Sequence, residues 1–134
     1  MVFVDTSFEY AVKLPELMNT EVVTHSTIAK FLLRANRPHC VAKLLLDVIQ
    51  DPEVWLSVCL QLTNYCLTHS KVFIDNKVSK STWVDLYNHC RKRKTSYDYL
   101  LPTVEFCIVK IGYKMLSLGL VDDALFIAFK LNNT

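Results

Sequence analysis

Glycine and proline are scarce in this chain, which has two glycines and four prolines in 134 residues, of which 51% are hydrophobic. This composition excludes a disordered or low-complexity chain and argues against a turn-rich β-sandwich. No apolar run reaches the roughly 18 residues that cross a bilayer. The first residues also lack the basic segment and the apolar core of a secretory signal. The length predicts a single domain, residues 1–134, that can bury its own core.

The sequence motifs of catalysis are missing as well. The chain has no G-x-S-x-G, no glycine-rich phosphate loop and no HExxH. Both glycines fall within residues 112–119, so none is left for a phosphate-binding loop. The paired carboxylates Asp122 and Asp123 are explained by the start of a helix, whose dipole favours negative charge there. We therefore predict a protein that is not an enzyme and needs no cofactor.

The five cysteines are an odd number, widely spaced and mostly inside apolar segments. This pattern indicates reduced thiols, and so the cytoplasm or the nucleus, instead of a disulfide framework. No CxxC is present, and we predict no metal site because cysteine is a common core residue. The best set of zinc ligands that the chain offers consists of three pairs, His39–Cys40, His89–Cys90 and Cys66–His69.

Apolar residues recur at helical spacing along most of the chain. They predict helices over residues 21–35, 38–49, 52–69, 83–91, 102–118 and 121–131. Thr20, Asp51 and either Ser79 or Ser81 are the predicted N-caps. Residues 1–20 fit an extended arm, and residues 70–80 fit a basic connector in which residues 72–74 form a small packing element. The predicted class is all-α, with three successive antiparallel helical hairpins in a short α-solenoid or helical-repeat-like bundle.

The stretch over residues 104–133 organises this prediction. Lys110, Lys114 and Ser117 form a narrow polar stripe on a helix that is otherwise apolar, so we expect the helix to be covered on several sides. Gly119 suits the left-handed residue that ends a helix, and Leu120 the apolar residue that folds back on it.

This last pair of helices resembles a tetratricopeptide-type repeat. Gly112, Gly119 and Ala124 stand at that family's two glycine positions and its alanine position, and Ile108, Ile111 and Met115 take its large apolar positions. A weaker match begins at Ala29, with Asn36 at the turn, residues 41–42 at the alanine position and residues 51–52 closing the unit. The chain departs from the family at Val121, Ala128 and Leu131. In such repeats the first small residue lets two backbones approach closely, and the second makes the turn.

The resemblance covers about 60 of the 134 residues and implies an α-solenoid of the kind that builds protein-binding scaffolds. The turn over residues 119–124 is also similar to that of pentatricopeptide repeats, which implies RNA binding as an alternative. We expect a scaffold or adaptor, a subunit or segment of a larger assembly. Its last helix is apolar nearly all round, so either earlier helices fold over it or it binds a protein partner or a second copy. We favour binding, which predicts a surface at Leu125, Phe126, Phe129 and Leu131.

A basic region supplies the alternative function. Residues 71–94 hold seven basic and two acidic residues, a local charge of +5 within a total of +2, so the remainder carries −3. Three nearby tyrosines, Tyr87, Tyr97 and Tyr99, could stack on nucleic-acid bases beside these cations, although a solvated helix end explains the charge equally well. The candidate basic patch comprises Lys77, Lys80, Arg91, Lys92, Arg93 and Lys94.

A compact helical regulator that accepts a partner helix is the third interpretation.

Overall fold

The computed structural model describes residues 24–132, without the side chains of residues 94 and 95, and every element in that range is helical. The all-α prediction is confirmed for this part of the chain, and the extended arm predicted for residues 1–20 lies outside it. None of the described helices has the length and hydropathy that a bilayer crossing requires. The helices are α1 His25–Arg34, α2 Pro38–Lys43 continued by a π-helical segment Leu44–Val48, α3 Pro52–Thr68, α4 Lys71–Ile74, α5 Lys80–Lys92, α6 Lys94–Tyr97 continued by a 3-10 turn Asp98–Leu100, α7 Leu101–Ser117 and α8 Val121–Asn132.

Side-chain caps begin three of these helices. Asp51 Oδ1 accepts the backbone N–H groups of residues 53 and 54 at 2.9 and 3.1 Å, and Ser79 Oγ accepts that of Thr82 at 3.2 Å, which confirms both predicted caps. The helix predicted to run from residue 21 is corrected. Thr24 has an extended backbone, and its hydroxyl accepts the N–H of Thr27, so α1 begins at His25.

The same hydrogen-bonded turn ends α1 and α7. Asn36 and Gly119 have φ angles of 59° and 80°, in the left-handed region that suits these residues. The backbone N–H of Gly119 donates to the carbonyl of Leu116 at 3.0 Å, and that of Leu120 donates to the carbonyl of Met115 at 2.9 Å. After α1, residues 36 and 37 donate to residues 33 and 32 at 3.0 and 2.8 Å. Both turns are Schellman motifs, and both fall where the sequence predicted a turn.

The core lies where α7 crosses the rest of the molecule. α3 packs on α1, α2 and α7, whereas α5 packs on α7, α8 and the π-helical segment. α7 therefore lies between α3 and α5 and joins the two halves of the described chain. Trp55 and Trp83 are fully buried in this core, and the Trp55 indole N–H donates to the carbonyl of Leu45 at 2.8 Å.

The predicted connector over residues 70–80 contains the short helix α4. Val72 and Phe73 are buried, as expected for a packing element, while Ile74 is 72% exposed. Lys77 reaches back to donate to the carbonyl of Asn36 at 3.4 Å.

Candidate functional site: the outer surface of the last two helices

α7 carries two apolar stripes on opposite sides. Its inner stripe is buried in the core and comprises Val104, Ile108, Ile111 and Met115. Its outer stripe is exposed and comprises Phe106 at 61%, Val109 at 42%, Tyr113 at 69% and Leu116 at 45%. The expectation that this helix is covered on several sides is met by α3, α5 and α8, which all pack on it. Within residues 24–132 the outer stripe is nevertheless left largely exposed.

α8 divides the four residues that the sequence predicted as one binding surface. Ala124 and Ile127 face the core. Leu125 and Phe129, one helical turn apart, are 59% and 65% exposed and lie on the outer side. Phe126 is half-buried on another side of the helix, where the ammonium groups of Lys80 and Lys130 lie 5.2 and 5.6 Å from its ring centroid. Leu131 is also half-buried.

A groove of about 210 Å³ runs between the outer sides of α7 and α8. Its lining is apolar and contains no charged side chain. Three small residues line it (Gly112, Ala124 and Ala128), next to larger ones that include Tyr113, Leu116 and Leu125. We call this depression the α7–α8 groove. Together with the exposed side chains beside it, the groove forms a continuous apolar surface, the outer surface of α7 and α8.

The described residues give Gly112 no intramolecular reason to be glycine. A Cβ atom added there would meet no heavy atom within 4 Å outside its own helix, and its φ is not in the left-handed region. The interpretation that Gly112 lets two backbones approach closely is therefore corrected. Instead, the missing side chain leaves open space in the α7–α8 groove.

The charges on these two helices balance. α7 holds Glu105, Lys110 and Lys114, while α8 holds Asp122, Asp123 and Lys130, three of each sign. The Lys110 ammonium lies 4.5 Å from the centroid of the Phe106 ring, at the edge of the outer stripe. The charges on the two helices therefore sum to zero, with Asp123 paired to Lys80 of α5 and Glu105 bonded to Tyr87 of α5.

The predicted basic patch spans the length of α5. Lys80 begins α5 and Arg91 stands 11 residues later near its end, roughly 16 Å away along the helix. The guanidinium of Arg93 donates to Gln50 Oε1 at 2.8 Å and lies 5.3 Å from the Tyr97 ring centroid. That of Arg91 lies 5.5 Å from the Tyr87 ring centroid. Lys92 is exposed, and the side chain of Lys94 lies outside the described part of the chain.

Two of the three tyrosines proposed for base stacking are buried. Tyr87 donates its hydroxyl to Glu105 Oε1 at 3.1 Å, and Tyr97 donates to the carbonyl of Gln50 at 2.8 Å. Burial raises the pKa of both phenols. Tyr99 is 61% exposed and remains the one of the three that a base could reach.

An aromatic cluster that the sequence did not reveal lies where α3, α5 and α6 meet. The His89 ring stacks on Trp55 with centroids 5.9 Å apart and planes 8° apart, and Tyr97 meets both rings edge-on. Burial lowers the pKa of His89, and the nearby Arg93 and Lys92 lower it further against the opposing effect of Asp47. A neutral imidazole in this position packs between aromatic rings, which is a structural role.

All five cysteines are buried, and none of them forms a disulfide. Cys59 on α3 and Cys107 on α7 share a hydrogen bond, which raises the pKa of Cys59 and lowers that of Cys107. Burial alone raises the pKa of Cys66 to about 12. Among residues 24–132 no three His, Cys, Asp or Glu side chains are grouped so that they could hold a metal ion.

Comparison with protein-family models, with curated proteins and with solved structures finds no match to this chain. The function of the protein is therefore inferred from the outer surface of α7 and α8. Sequence reasoning found Leu125 and Phe129 but missed Phe106, Val109, Tyr113 and Leu116. The signal was present in their spacing of three, four and three residues, which places them on one side of α7.

Proposed function

We propose that this protein is a non-enzymatic interaction module, a scaffold or adaptor that binds protein through the outer surface of α7 and α8. The observation that carries the proposal is the juxtaposition of an exposed apolar stripe with an apolar groove. Proteins rarely leave a contiguous apolar surface larger than a few hundred Å² open to water unless something binds there. The aromatic residues Phe106, Tyr113 and Phe129, each more than 60% exposed, are of the type that dominates binding energies at interfaces.

The finer architecture is also part of this proposal. We infer a short stack of helical hairpins that belongs to a larger assembly, in the manner of tetratricopeptide-type scaffolds. Two observations support it: the recurrence of the same Schellman turn at Asn36 and Gly119, and the extensive packing of α7 along α8. The position of α7 between α3 and α5 departs from a simple succession of pairs, because α7 separates the two helices that the sequence predicted as the middle hairpin.

The proposal includes a reducing location, the cytosol or the nucleus. The five buried cysteines support it, since none of them is used in a disulfide.

Nucleic-acid binding receives less support from the arrangement of charges. Three of these cations, Lys80, Arg91 and Arg93, already contact other side chains of the described chain. Lys80 lies at one end of α5, whereas Arg91 and Arg93 lie at the other. We therefore retain protein binding as the single proposed function.

A pair of matched double variants tests it. Leu125→Ser with Phe129→Ser removes two exposed apolar side chains from the proposed surface, and Phe31→Ser with Ile74→Ser removes two equally exposed ones from α1 and α4. Each tagged chain is co-expressed in cells with a second copy that carries a different tag, and the proteins that co-purify, this copy included, are quantified by mass spectrometry. We expect the first variant to lose its partners by about tenfold or more and the second to keep them.

Circular dichroism of the purified variants provides the control. Both should remain helical, because all four side chains are largely exposed. Unfolding of the Leu125→Ser, Phe129→Ser variant would identify the surface as core, and equal partner recovery from both variants would assign binding to another surface. Either result contradicts the proposal.

A further inference from the structure

The apolar surface of α7 and α8 has the features that pairing of identical surfaces requires. We propose that its partner is a second copy of this chain, which packs its own α7 and α8 against the same helices about a two-fold axis. This inference depends on the proposed function and specifies the partner that the surface binds. Four observations lead to it: the spacing on α7, the shape of the surface, its charge and its size.

The apolar residues of α7 are spaced as in a helix that packs lengthwise on two sides. The inner stripe of α7 recurs at intervals of four, three and four residues, and the outer stripe at three, four and three. Alternating intervals of three and four mark the seam along which one helix packs lengthwise against another. Because the inner seam is filled by this chain, α7 has the pattern of a helix that lies in the middle of a bundle, with further helices against its outer seam.

The shape allows a surface to fit its own copy. An interface about a two-fold axis brings the same patch of both chains together, so the patch must contain both protrusions and a depression. Tyr113 and Phe129 protrude from this surface, and the α7–α8 groove lies beside them. Gly112 lines the groove although it costs about 1 kcal/mol of helix stability relative to alanine. An aromatic side chain from the facing copy that enters this space explains the glycine, for which the single chain offers no reason.

The charge permits the same pairing. Two copies of a strongly charged surface would repel each other, whereas α7 and α8 together carry three cations and three anions. Charges of both signs are therefore present, so two copies can meet without strong net repulsion.

The size is close to what a stable dimer needs. The large apolar residues that α7 and α8 expose are Phe106, Val109, Tyr113, Leu116, Val121, Leu125 and Phe129. At their degrees of exposure they offer on the order of 600 Å², since a fully exposed aromatic side chain offers roughly 150–250 Å². A standard interface buries roughly 800 Å² per partner, polar rim included.

Sedimentation equilibrium of the purified full chain tests the inference between about 1 and about 100 µM, the range in which a moderate dimer dissociates. We expect the mass to rise from 15.5 kDa toward twice that value. Leu125→Ser with Phe129→Ser should raise the dimer dissociation constant by about tenfold or more, and Phe31→Ser with Ile74→Ser should leave it unchanged. A chain that stays monomeric across the range, or a dimer that both double variants leave intact, overturns the inference.

Gly112→Leu provides an independent variant, because it fills the groove from within α7 while an added Cβ meets no described atom beyond the backbone of its own helix. It should weaken the dimer by about tenfold or more and leave the far-ultraviolet circular dichroism unchanged. Asn64→Leu, which adds the same side chain at an exposed position of α3, is the matched control and should have no effect on the dimer. A Gly112→Leu chain that is folded and dimerises like the wild type contradicts the proposed packing.

Photo-crosslinking in cells separates this inference from the function on which it depends. With p-benzoylphenylalanine in place of Leu125, a crosslinked product of two identical chains supports a second copy as the partner. A product that joins the chain to a different protein overturns the second copy and leaves the proposed function intact. The absence of any product, together with a monomer in the centrifuge, overturns both.

Discussion

Lys80 on α5 and Asp123 on α8 form an ion pair, with Nζ 3.0 Å from Oδ1. Both side chains are a little over one third exposed, and the same ammonium lies 5.2 Å from the centroid of the Phe126 ring. The sequence assigned Lys80 to a patch for anionic partners and Asp123 to the dipole of α8. In the folded chain the two residues hold the first turn of α8 against the first turn of α5, and so help to fix the orientation in which α8 presents Leu125 and Phe129.

Lys80→Ala should destabilise the domain by about 0.5–1 kcal/mol, because a half-exposed ion pair contributes little and the contact with the Phe126 ring adds to it. Urea unfolding of Lys80→Ala, Asp123→Ala and the double variant measures the coupling between the two residues. The coupling should weaken as salt is added, since ions screen exposed charges. Additive single effects would show that the pair contributes nothing.

The two glycines should respond to alanine in opposite directions. Gly112→Ala should stabilise the monomer by up to about 1 kcal/mol, because alanine is the better helix former and the added methyl group meets no side chain among residues 24–132. Gly119→Ala should destabilise it by about 1 kcal/mol or more, because the φ of 80° is unfavourable for a residue with a Cβ. Urea midpoints in the Leu125→Ser, Phe129→Ser background measure both effects without interference from self-association. Destabilisation by Gly112→Ala would show that the position is packed from within the chain.

Stability should fall when the pH is lowered below about 6.5, the ordinary pKa of histidine. Burial lowers the pKa of His25 and His89 in the folded chain, so on acidification the unfolded chain takes up these protons first. The free energy of unfolding therefore decreases from pH 6.5 downward until the lowered folded pKa is passed, below which these groups add no further change. His89→Gln and His25→Gln should each make the pH dependence shallower, as measured by thermal unfolding at a series of pH values. An unchanged slope in both variants would rule out these histidines as its source.

Arg93→Ala should affect stability and not nucleic-acid affinity. Its guanidinium bonds to Gln50 and lies over Tyr97, so its loss should cost about 0.5–2 kcal/mol in urea unfolding. Titration with single-stranded RNA at low and at moderate salt should show weak binding that the substitution leaves unchanged. A steep salt dependence that Arg91→Ala and Arg93→Ala reduce would instead support the nucleic-acid alternative.

The ends of the helices were largely predictable from the sequence. Asp51, Ser79 and Gly119 act within hydrogen-bonded rings that span six residues or fewer, so local sequence is sufficient to specify them. The start of α1 was misplaced because Thr20 and Thr24 are equally suitable N-caps, and local rules do not choose between two such residues. The all-helical class follows from the same local signals, repeated along the chain.

The binding surface was only half predictable. Apolar residues surround both α7 and α8, and their spacing shows which residues share a side of the helix without showing which side another helix covers. Phe126 and Phe129 therefore look equivalent in the sequence, yet Phe126 packs beside Lys80 and Phe129 remains exposed. For the same reason the stacking of His89 on Trp55 could not be predicted, because the two residues lie 34 positions apart in the sequence.

The amino-acid sequence alone determined that the described chain is helical and where most of its helices begin and end. It also showed that the last two helices carry apolar residues on nearly every side. The tertiary structure decided which surface that is. By packing between α3 and α5, α7 buries one of its two apolar stripes and leaves the other beside α8, with Gly112 lining the groove between them. The reason is physical: hydrogen bonds within a helix and its caps are set by near neighbours in sequence, whereas burial depends on segments that lie far apart in the chain.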